Sequence, residues 1–190
     1  MKELSLHILD IAENSVRADA RTITIDIEEN SRKNLLTIKI QDDGKGMDAE
    51  MVARITDPFI TSRTTRKVGL GIPFFKAAAE ACNGHFSIQS TPGKGTSVEA
   101  SFELDHIDRM PMGDIQSTFL NLLVGYPDVR WIFKYGIDGK EFSLDNEPIR
   151  ESLEDIPFSD PIVLKYLKDE INSGFQKIKP IQNRRHHEQN

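Results

Sequence analysis

The sequence predicts an α+β fold, a two-layer α/β sandwich in which helices cover one face of a sheet. Two alternating stretches rich in β-branched residues, "RTITIDIE" (21–28) and "LLTIKIQ" (35–41), predict adjacent strands. Apolar residues spaced at three and four between Leu4 and Val16 predict an amphipathic helix before them. A second helix and a second pair of strands follow further along the chain. Helices and paired strands in this order are typical of a layered α+β domain.

The elements between these landmarks follow from local signals. Asp48 is a suitable N-cap for a short helix at about 48–55. The Thr-, Pro- and Gly-containing stretch "TDPFITSRTTRKVGLG" has no regular period and predicts a loop. Pro73 favours the first turn of a helix that reaches about Cys82, and "NG" at 83–84 ends it. The stretches "HFSIQS" and "TSVEASFEL", joined across "TPGKG", predict the second pair of strands.

Composition narrows the functional classes. Among 190 residues, 38% are hydrophobic and 28% charged, as in a globular protein, and the net charge of -6 without a basic stripe argues against a nucleic-acid partner. The single cysteine, Cys82, lies in an Ala-rich helical run, where we expect it to be buried and unreactive. No apolar run is long enough to span a membrane, and acidic residues stand where a secretory signal has none. We therefore expect a cytoplasmic location.

The chain divides into three predicted segments. Residues 1–106 hold the elements described above, 107–178 form an extension predicted to be helix, strand, strand, helix, and 179–190 form a polar tail that we expect to be disordered. Trp131, Phe133 and Tyr135 alternate along one predicted strand of the extension. Such an aromatic row is typical of a core, and would be a partner site only if exposed.

A polar stripe on the first helix carries candidate chemistry. His7, Asp10, Asn14 and Arg17 are spaced by three and four residues and therefore share a face. An amide oxygen at Asn14 suits Mg²⁺, which prefers oxygen ligands and keeps several waters. A carboxylate one turn earlier, Asp10, could accept a proton from a hydroxyl or water that attacks a phosphate. The alternative is a solvated helix face.

Four short motifs occur in a fixed order: D-I-A-E-N (10–14), D-D-G-K-G (42–46), G-L-G (69–71) and G-K-G-T (93–96). Together they resemble the GHKL superfamily, whose Bergerat-type ATP-binding fold is shared by DNA gyrase, Hsp90, MutL proteins, sensor histidine kinases and anti-sigma kinases. The resemblance covers about residues 3–104. It implies that this chain binds ATP and Mg²⁺, with Asn14 as the metal ligand. The P-loop motif is absent, so "GKGT" does not indicate a P-loop.

The resemblance assigns the adenine side of the site to the second and fourth motifs. Asp42 matches the carboxylate that reads the adenine amine, and a carboxylate accepts from N6 but not from the guanine oxygen. Gly44 and Gly46 allow the backbone to approach closely, Met47 follows them, and Thr96 matches the threonine near the adenine. Asp43 is expected to be a solvated neighbour.

The phosphate side is assigned to the first helix and to the loop before Pro73. The implied nucleotide-binding residues there are Arg17, Thr61, Ser62, Arg66, Lys67, Gly69, Leu70 and Gly71. The segment 60–67 is similar to the ATP lid, and Arg66 or Lys67 is expected to meet the γ-phosphate. Asp10 is the candidate catalytic base, although Glu is usual at this position in the hydrolysing members. Glu13 remains the alternative base.

The resemblance leaves two functions open. The first is a stand-alone serine/threonine protein kinase similar to anti-sigma kinases, or an ATPase. The second is a nucleotide-gated protein-binding module with little or no catalysis. Both imply a protein partner, the sequence is compatible with a homodimer, and a MutL- or gyrase-like DNA machine is disfavoured by the acidic charge.

The extension is similar to that of small stand-alone ATP-binding proteins of anaerobic bacteria. Sensor kinases carry further elements before the Asn-bearing helix. If the extension occupies their place, as in a circular permutation, we expect residues 115–145 to lie beside the strands at 85–104.

Overall fold

The computed structural model describes residues 3–56 and 71–179. Twelve helices and strands lie within these ranges, in the order α1 (Leu4–Arg17), β1 (Thr22–Asn30), β2 (Leu35–Asp42), α2 (Ala49–Thr56), α3 (Gly71–Glu80), β3 (Phe86–Thr91), β4 (Gly95–Glu103), α4 (Ile115–Gly125), β5 (Arg130–Ile137), β6 (Lys140–Asp145), α5 (Asn146–Leu153) and α6 (Pro161–Ile178). The predicted order of elements up to residue 104 is confirmed. The helix α5 was not predicted.

One six-stranded sheet runs through the molecule in the order β3-β4-β2-β1-β5-β6. Among the strands of the described ranges, only β1 and β5 pair in parallel, and the other four pairings are antiparallel. One face carries the isoleucines of β1, and the register places Ile23 beside Trp131 and Ile25 beside Phe133. These side chains are fully buried, so the aromatic row of the extension is core, as predicted.

The extension lies at the opposite end of the sheet from its predicted position. The expectation that residues 115–145 lie beside the 85–104 strands is wrong, because β5 pairs with β1 and β3 forms the other edge. The reason is that β2 already pairs with β4, which leaves the far edge of β1 as the place where the aromatic row can extend the same core. The two predicted segments therefore share one sheet and one hydrophobic core.

The extension also completes the start of α1. The side chain of Glu3 does not cap this helix; instead the backbone N–H groups of Leu4 and Ser5 donate to the carbonyls of Pro111 and Met112, at 3.0 and 2.8 Å. Unpaired N–H groups in a first helical turn need such acceptors. The connection between β4 and α4 thus fixes the helix that carries the predicted polar stripe.

Smaller predictions are also confirmed. Asp48 caps α2, since its Oδ1 accepts from the Met51 N–H at 2.8 Å. Asn83 adopts the left-handed conformation after α3, with φ of 53°. Cys82 is buried, and this burial raises the pKa of its thiol. None of the helices in the described ranges combines the length and hydrophobicity needed to cross a bilayer.

Candidate nucleotide site

Three polar side chains form a row across the end of the sheet. Asp42 of β2 pairs in register with Thr96 of β4, which pairs with Ser90 of β3. The Oγ of Ser90 lies 2.8 Å from the Oγ1 of Thr96, accepts from the Met47 N–H at 2.8 Å and donates to the Gly95 carbonyl at 3.1 Å. Because side chains alternate along a strand, the row faces the helices, in line with Ile40, Val98 and Ile88.

The carboxylate of Asp42 is held in place by three donors. Its Oδ1 accepts from the backbone N–H groups of Gly44 at 2.9 Å and Thr96 at 3.1 Å. Its Oδ2 accepts from the hydroxyl of Ser15 in α1 at 2.6 Å. A carboxylate has about four acceptor positions, so these bonds leave one position free, on Oδ2. The buried Asp42 can therefore accept one further hydrogen bond from a ligand.

A cavity of about 580 Å³ opens beside this row. Asp42, Ser90 and Thr96 line it, and its apolar wall includes Val52 of α2 and Ile88 of β3. A concave site with an apolar wall and few fixed polar groups is typical of small-molecule binding. Neither Asp10 nor Asn14 lines this cavity.

The turn after β2 packs against the protein itself. A Cβ at Gly46, where φ is +64°, would overlap the carbonyl of Thr91, and a Cβ at Gly44 would lie 2.7 Å from the Ala18 carbonyl oxygen. Real Cβ atoms do not approach backbone so closely, so both positions require glycine even without a ligand.

Asp43 is exposed, as expected of a solvated neighbour, but it also has a structural role that was not expected. Its Oδ1 accepts from the backbone N–H groups of Arg21 at 2.7 Å and Thr22 at 2.8 Å. Partial burial by itself raises the pKa of this carboxyl, but the hydrogen bonds from Thr22 and Arg21 outweigh it and lower the pKa. Asp43 thus fixes the start of β1 beside the Asp42 turn.

The polar stripe of α1 divides into two environments. Asp10 faces α3, because a Cβ at Gly71 would overlap its Oδ2, and among the described residues this buried oxygen has no hydrogen-bond partner. Glu13 instead forms an ion pair with the exposed Arg17 at 3.0 Å. Glu13 also lies near Tyr126: the pKa of the Tyr126 phenol is raised, mainly by burial of the phenol and next by the negative charge of Glu13. The two candidate bases therefore face different neighbours, and only Asp10 faces the start of α3.

Asn14 lies between these two environments. Its Oδ1, the predicted metal ligand, accepts from the Nη1 of Arg17 at 2.9 Å. This bond occupies one of the two lone pairs of the amide oxygen, and the second remains available to a cation. Arg17 is thus placed beside Asn14, its neighbour on the polar stripe.

His7 is fully buried within the interface of α1 and α3. Its ring stacks on Phe75 with centroids 5.6 Å apart, and within the described ranges neither ring nitrogen has a hydrogen-bond partner. Burial lowers the pKa of this imidazole, against smaller raising effects from the Gly71 backbone and the charge of Asp10.

The sequence profile of the histidine kinase-, DNA gyrase B-, and HSP90-like ATPases matches residues 2–106, more than half of the chain. The chain belongs to this ATPase family. The GHKL resemblance of the four motifs is therefore confirmed.

Curated relatives of this ATPase domain include sensor kinases. The chain is 34% identical over 109 residues to the sensor protein kinase FleS of Pseudomonas aeruginosa, covering 57% of this chain and 26% of FleS. It is 36% identical over 87 residues to the sensor protein kinase WalK of Staphylococcus aureus strain JH9, covering 43% of this chain and 14% of WalK. It is 29% identical over 115 residues to the non-motile and phage-resistance protein of Caulobacter vibrioides, covering 57% and 14%. The chain thus spans about a quarter or less of the length of these relatives.

Two solved structures share the fold of the ATPase domain. The N-terminal domain of a DNA repair protein superposes with a TM-score of 0.56 at 14% identity, covering 76% of this chain and 53% of that one. The Aquifex aeolicus MutL ATPase domain complexed with ADP superposes with a TM-score of 0.52 at 14% identity, covering 91% and 70%. At this identity the likeness concerns the fold alone.

The structure brings together part of the predicted site of the ATPase domain. Asp42, Gly44, Gly46, Met47 and Thr96 form one end of it, while Asp10, Asn14, Arg17 and Gly71 lie along α1 and the start of α3. Six of the predicted nucleotide-binding residues lie outside the described residues: Thr61, Ser62, Arg66, Lys67, Gly69 and Leu70. The predicted tail, from residue 180 onwards, lies outside them as well.

Two site residues were not predicted from the sequence. Ser15 holds the Asp42 carboxylate, and Ser90 joins the turn after β2 to the row. Each serine lies on the inward face of its element. Ser15 follows the buried Ile11 by four residues in α1, and Ser90 follows Ile88 by two residues in β3. A polar residue on an inward stripe was the available signal.

Proposed function

We propose that this chain binds Mg-ATP, with the adenine against the Asp42 row and the phosphates towards Asp10 and the start of α3. The observation that carries this proposal is the free acceptor position of the Asp42 Oδ2 beside the cavity. The N6 amine of adenine is a donor and fits that position, whereas the O6 of guanine is an acceptor and does not. The apolar wall at Val52 and Ile88 suits the flat face of the base.

The phosphate end also fits an anion. Helix α3 begins at Gly71, and the N–H groups of a first helical turn favour negative charge. The described residues contain no cluster of three or more His, Cys, Asp or Glu side chains that would hold a metal by themselves. We therefore expect Mg²⁺ to be held by phosphate oxygens and water with Asn14 as the protein ligand, where it would neutralise charge on the phosphates.

We propose further that Asp10 acts as the general base of phosphate transfer. Its carboxylate would take the proton of an attacking hydroxyl as the new oxygen–phosphorus bond forms and the bond to the ADP oxygen breaks. A Ser or Thr hydroxyl, or water, needs such a base far more than an imidazole nitrogen does. The carboxylate therefore supports a serine/threonine kinase or an ATPase, although the relatives described above include sensor kinases.

A second function is favoured by one observation. The Oδ2 of Asp10 is shielded from solvent, and the Oε2 of Glu13 is paired with Arg17, so one oxygen of each candidate base is withheld from an attacking water. A nucleotide-gated binding module, in which bound ATP changes the surface offered to a protein partner, requires no proton acceptor. This is the alternative to phosphate transfer.

The test follows γ-labelled ATP on the full chain with Mg²⁺, alongside Asp10→Asn, Asn14→Ala and the matched control Glu13→Gln. Release or transfer of label by the wild type and by Glu13→Gln, but not by Asp10→Asn, supports an enzyme with Asp10 as base. Loss in Glu13→Gln alone assigns the base to Glu13.

Binding is measured separately by calorimetry with ATP. Tight binding without release, even with a candidate protein acceptor present, supports the gated module. Absence of ATP binding by the wild-type chain refutes the proposed function in both forms.

A further inference from the structure

An apolar groove lies between α5 and α6, away from the candidate nucleotide site. It encloses about 500 Å³, and apolar side chains from both helices line it: Pro148, Ile149, Leu153, Ile162, Val163 and Tyr166. None of these residues lines the cavity beside Asp42.

Two large apolar side chains that line the groove are exposed to solvent. Ile162 is 81% exposed and Tyr166 is 55% exposed, one helical turn apart on α6. The residues that follow each of them in the chain, Val163 and Leu167, are buried in the core. Contiguous exposed apolar patches with polar rims are typical of interaction sites.

The rim of the groove is acidic. The segment 147–160, which forms α5 and the connection to α6, carries five acids and a single base: Glu147, Glu151, Glu154, Asp155 and Asp160 against Arg150. Arg150 pairs with Glu147 and donates to the carbonyl of Asp128 at 3.0 Å, so the negative charge of this segment comes from the other four acids.

The second helix carries charges of both signs. Asp169 and Glu170 follow Tyr166 by three and four residues, so they share its face of α6 and are exposed. Lys165 follows Ile162 by three residues, so it shares the face of that groove residue and is exposed as well. The exposed part of α6 thus carries both signs of charge, and the excess of negative charge borders the apolar floor on the side of α5 and its connection to α6.

We propose that this groove binds an amphipathic helix of a partner protein, with apolar side chains on one face flanked by Lys or Arg. An apolar floor between two helices is the usual receptor for the apolar face of a third helix. The acidic rim selects a basic partner by charge complementarity. A second copy of this chain would bring the same acidic rim against itself across a two-fold axis, and an anionic lipid surface would be repelled.

The test uses two synthetic helical peptides of about 14 residues, a length at which an amphipathic helix is stabilised on docking. Both carry Leu at i, i+3, i+4 and i+7; one has Lys and the other Glu at the remaining positions. Each is titrated into the full ¹⁵N-labelled chain while amide shifts are followed. We expect the Lys peptide, and not the Glu peptide, to shift amides of α5 and of the first two turns of α6.

Ile162→Ser should lower the affinity for the Lys peptide by about tenfold or more, as expected for an apolar anchor. The matched control is Ile107→Ser, because Ile107 is 94% exposed and does not line the groove. Both side chains lie largely in solvent, so both variants should fold, which circular dichroism checks.

Three outcomes would overturn the proposal. The first is that both peptides bind equally well, or that both variants lower the affinity for the Lys peptide equally. The second is amide shifts confined to another surface, or no binding. The third is a concentration-dependent shift of the α5 and α6 amides without peptide, which would assign the groove to a second copy of the chain.

Discussion

Removing the Ser15 hydroxyl should destabilise the protein and weaken nucleotide binding together. The Ser15 Oγ donates to the Asp42 Oδ2 at 2.6 Å, with the two residues 5% and 9% exposed. In Ser15→Ala this oxygen loses its donor in a place that solvent barely reaches. A hydrogen bond to a charged group contributes about 1.5–3 kcal/mol, so we expect the free energy of unfolding to fall by that amount. For a chain of this size the melting midpoint should fall by roughly 3–12 °C.

Under the proposed function, the same variant should bind ATP about tenfold more weakly, because reorienting the carboxylate costs on the order of 1.4 kcal/mol. Urea unfolding measures the first effect and calorimetric titration with ATP the second. The control is Ser152→Ala, whose exposed hydroxyl donates to the Pro148 carbonyl of its own helix at 2.8 Å and should contribute less than about 0.5 kcal/mol. Equal stability of the two variants would refute the assigned hydrogen bond. Lower stability with unchanged ATP affinity would refute Asp42 as the adenine contact.

Four further outcomes are expected. Asp42→Asn should abolish the preference for ATP over GTP, which paired calorimetric titrations would show, and an undiminished preference would contradict the adenine contact. Gly71→Ala should push the Asp10 side chain aside, because the new Cβ overlaps its Oδ2, lowering stability by about 1–3 kcal/mol in thermal unfolding, whereas a neutral effect would contradict this contact. Asn146→Ala should cost about 2–4 kcal/mol in urea unfolding, since its buried amide serves two backbone groups at 2.7 and 2.9 Å; a loss below about 0.5 kcal/mol would argue against them. Burial lowers the pKa of His7 below its ordinary 6.5, so the unfolded chain binds the proton more readily, and the free energy of unfolding should fall as pH drops below about 6.5. His7→Gln should remove this pH dependence, and an unchanged pH dependence in the variant would assign it to other titratable groups.

The first part of the fold could be predicted because its signals are local. The period-two runs that became β1 and β2, and the three-and-four spacing of α1, specify which faces turn inward. The D-x-G-x-G motif predicts Asp42 as a contact of the base. The sequence does not indicate Ser15 or Ser90, because a lone serine on an apolar stripe carries no chemistry by itself. Its role appears only when packing of α1 brings Ser15 to the Asp42 carboxylate and the strand register brings Ser90 to Thr96.

The extension could not be placed from the sequence for a different reason. Its parallel pairing to β1 joins residues about a hundred positions apart, and no local pattern encodes such a pairing. Helix α5 was missed because it is eight residues long, with Pro148 in its first turn and few apolar residues. Its start is nevertheless defined, since the Asp145 side chain accepts from the Glu147 N–H at 3.0 Å.

The parallel pairing of β1 with β5 has a consequence for biosynthesis. The N-terminal strand β1 ends at Asn30, but the partner along its second edge is finished only at Ile137. At a translation rate of roughly 5–20 residues per second, the growing chain carries an unpaired, isoleucine-rich strand edge for about 5–20 s. Such an edge is a template for pairing with other chains. Strand β1, which is internal to the finished sheet, is therefore a site of misassembly during translation.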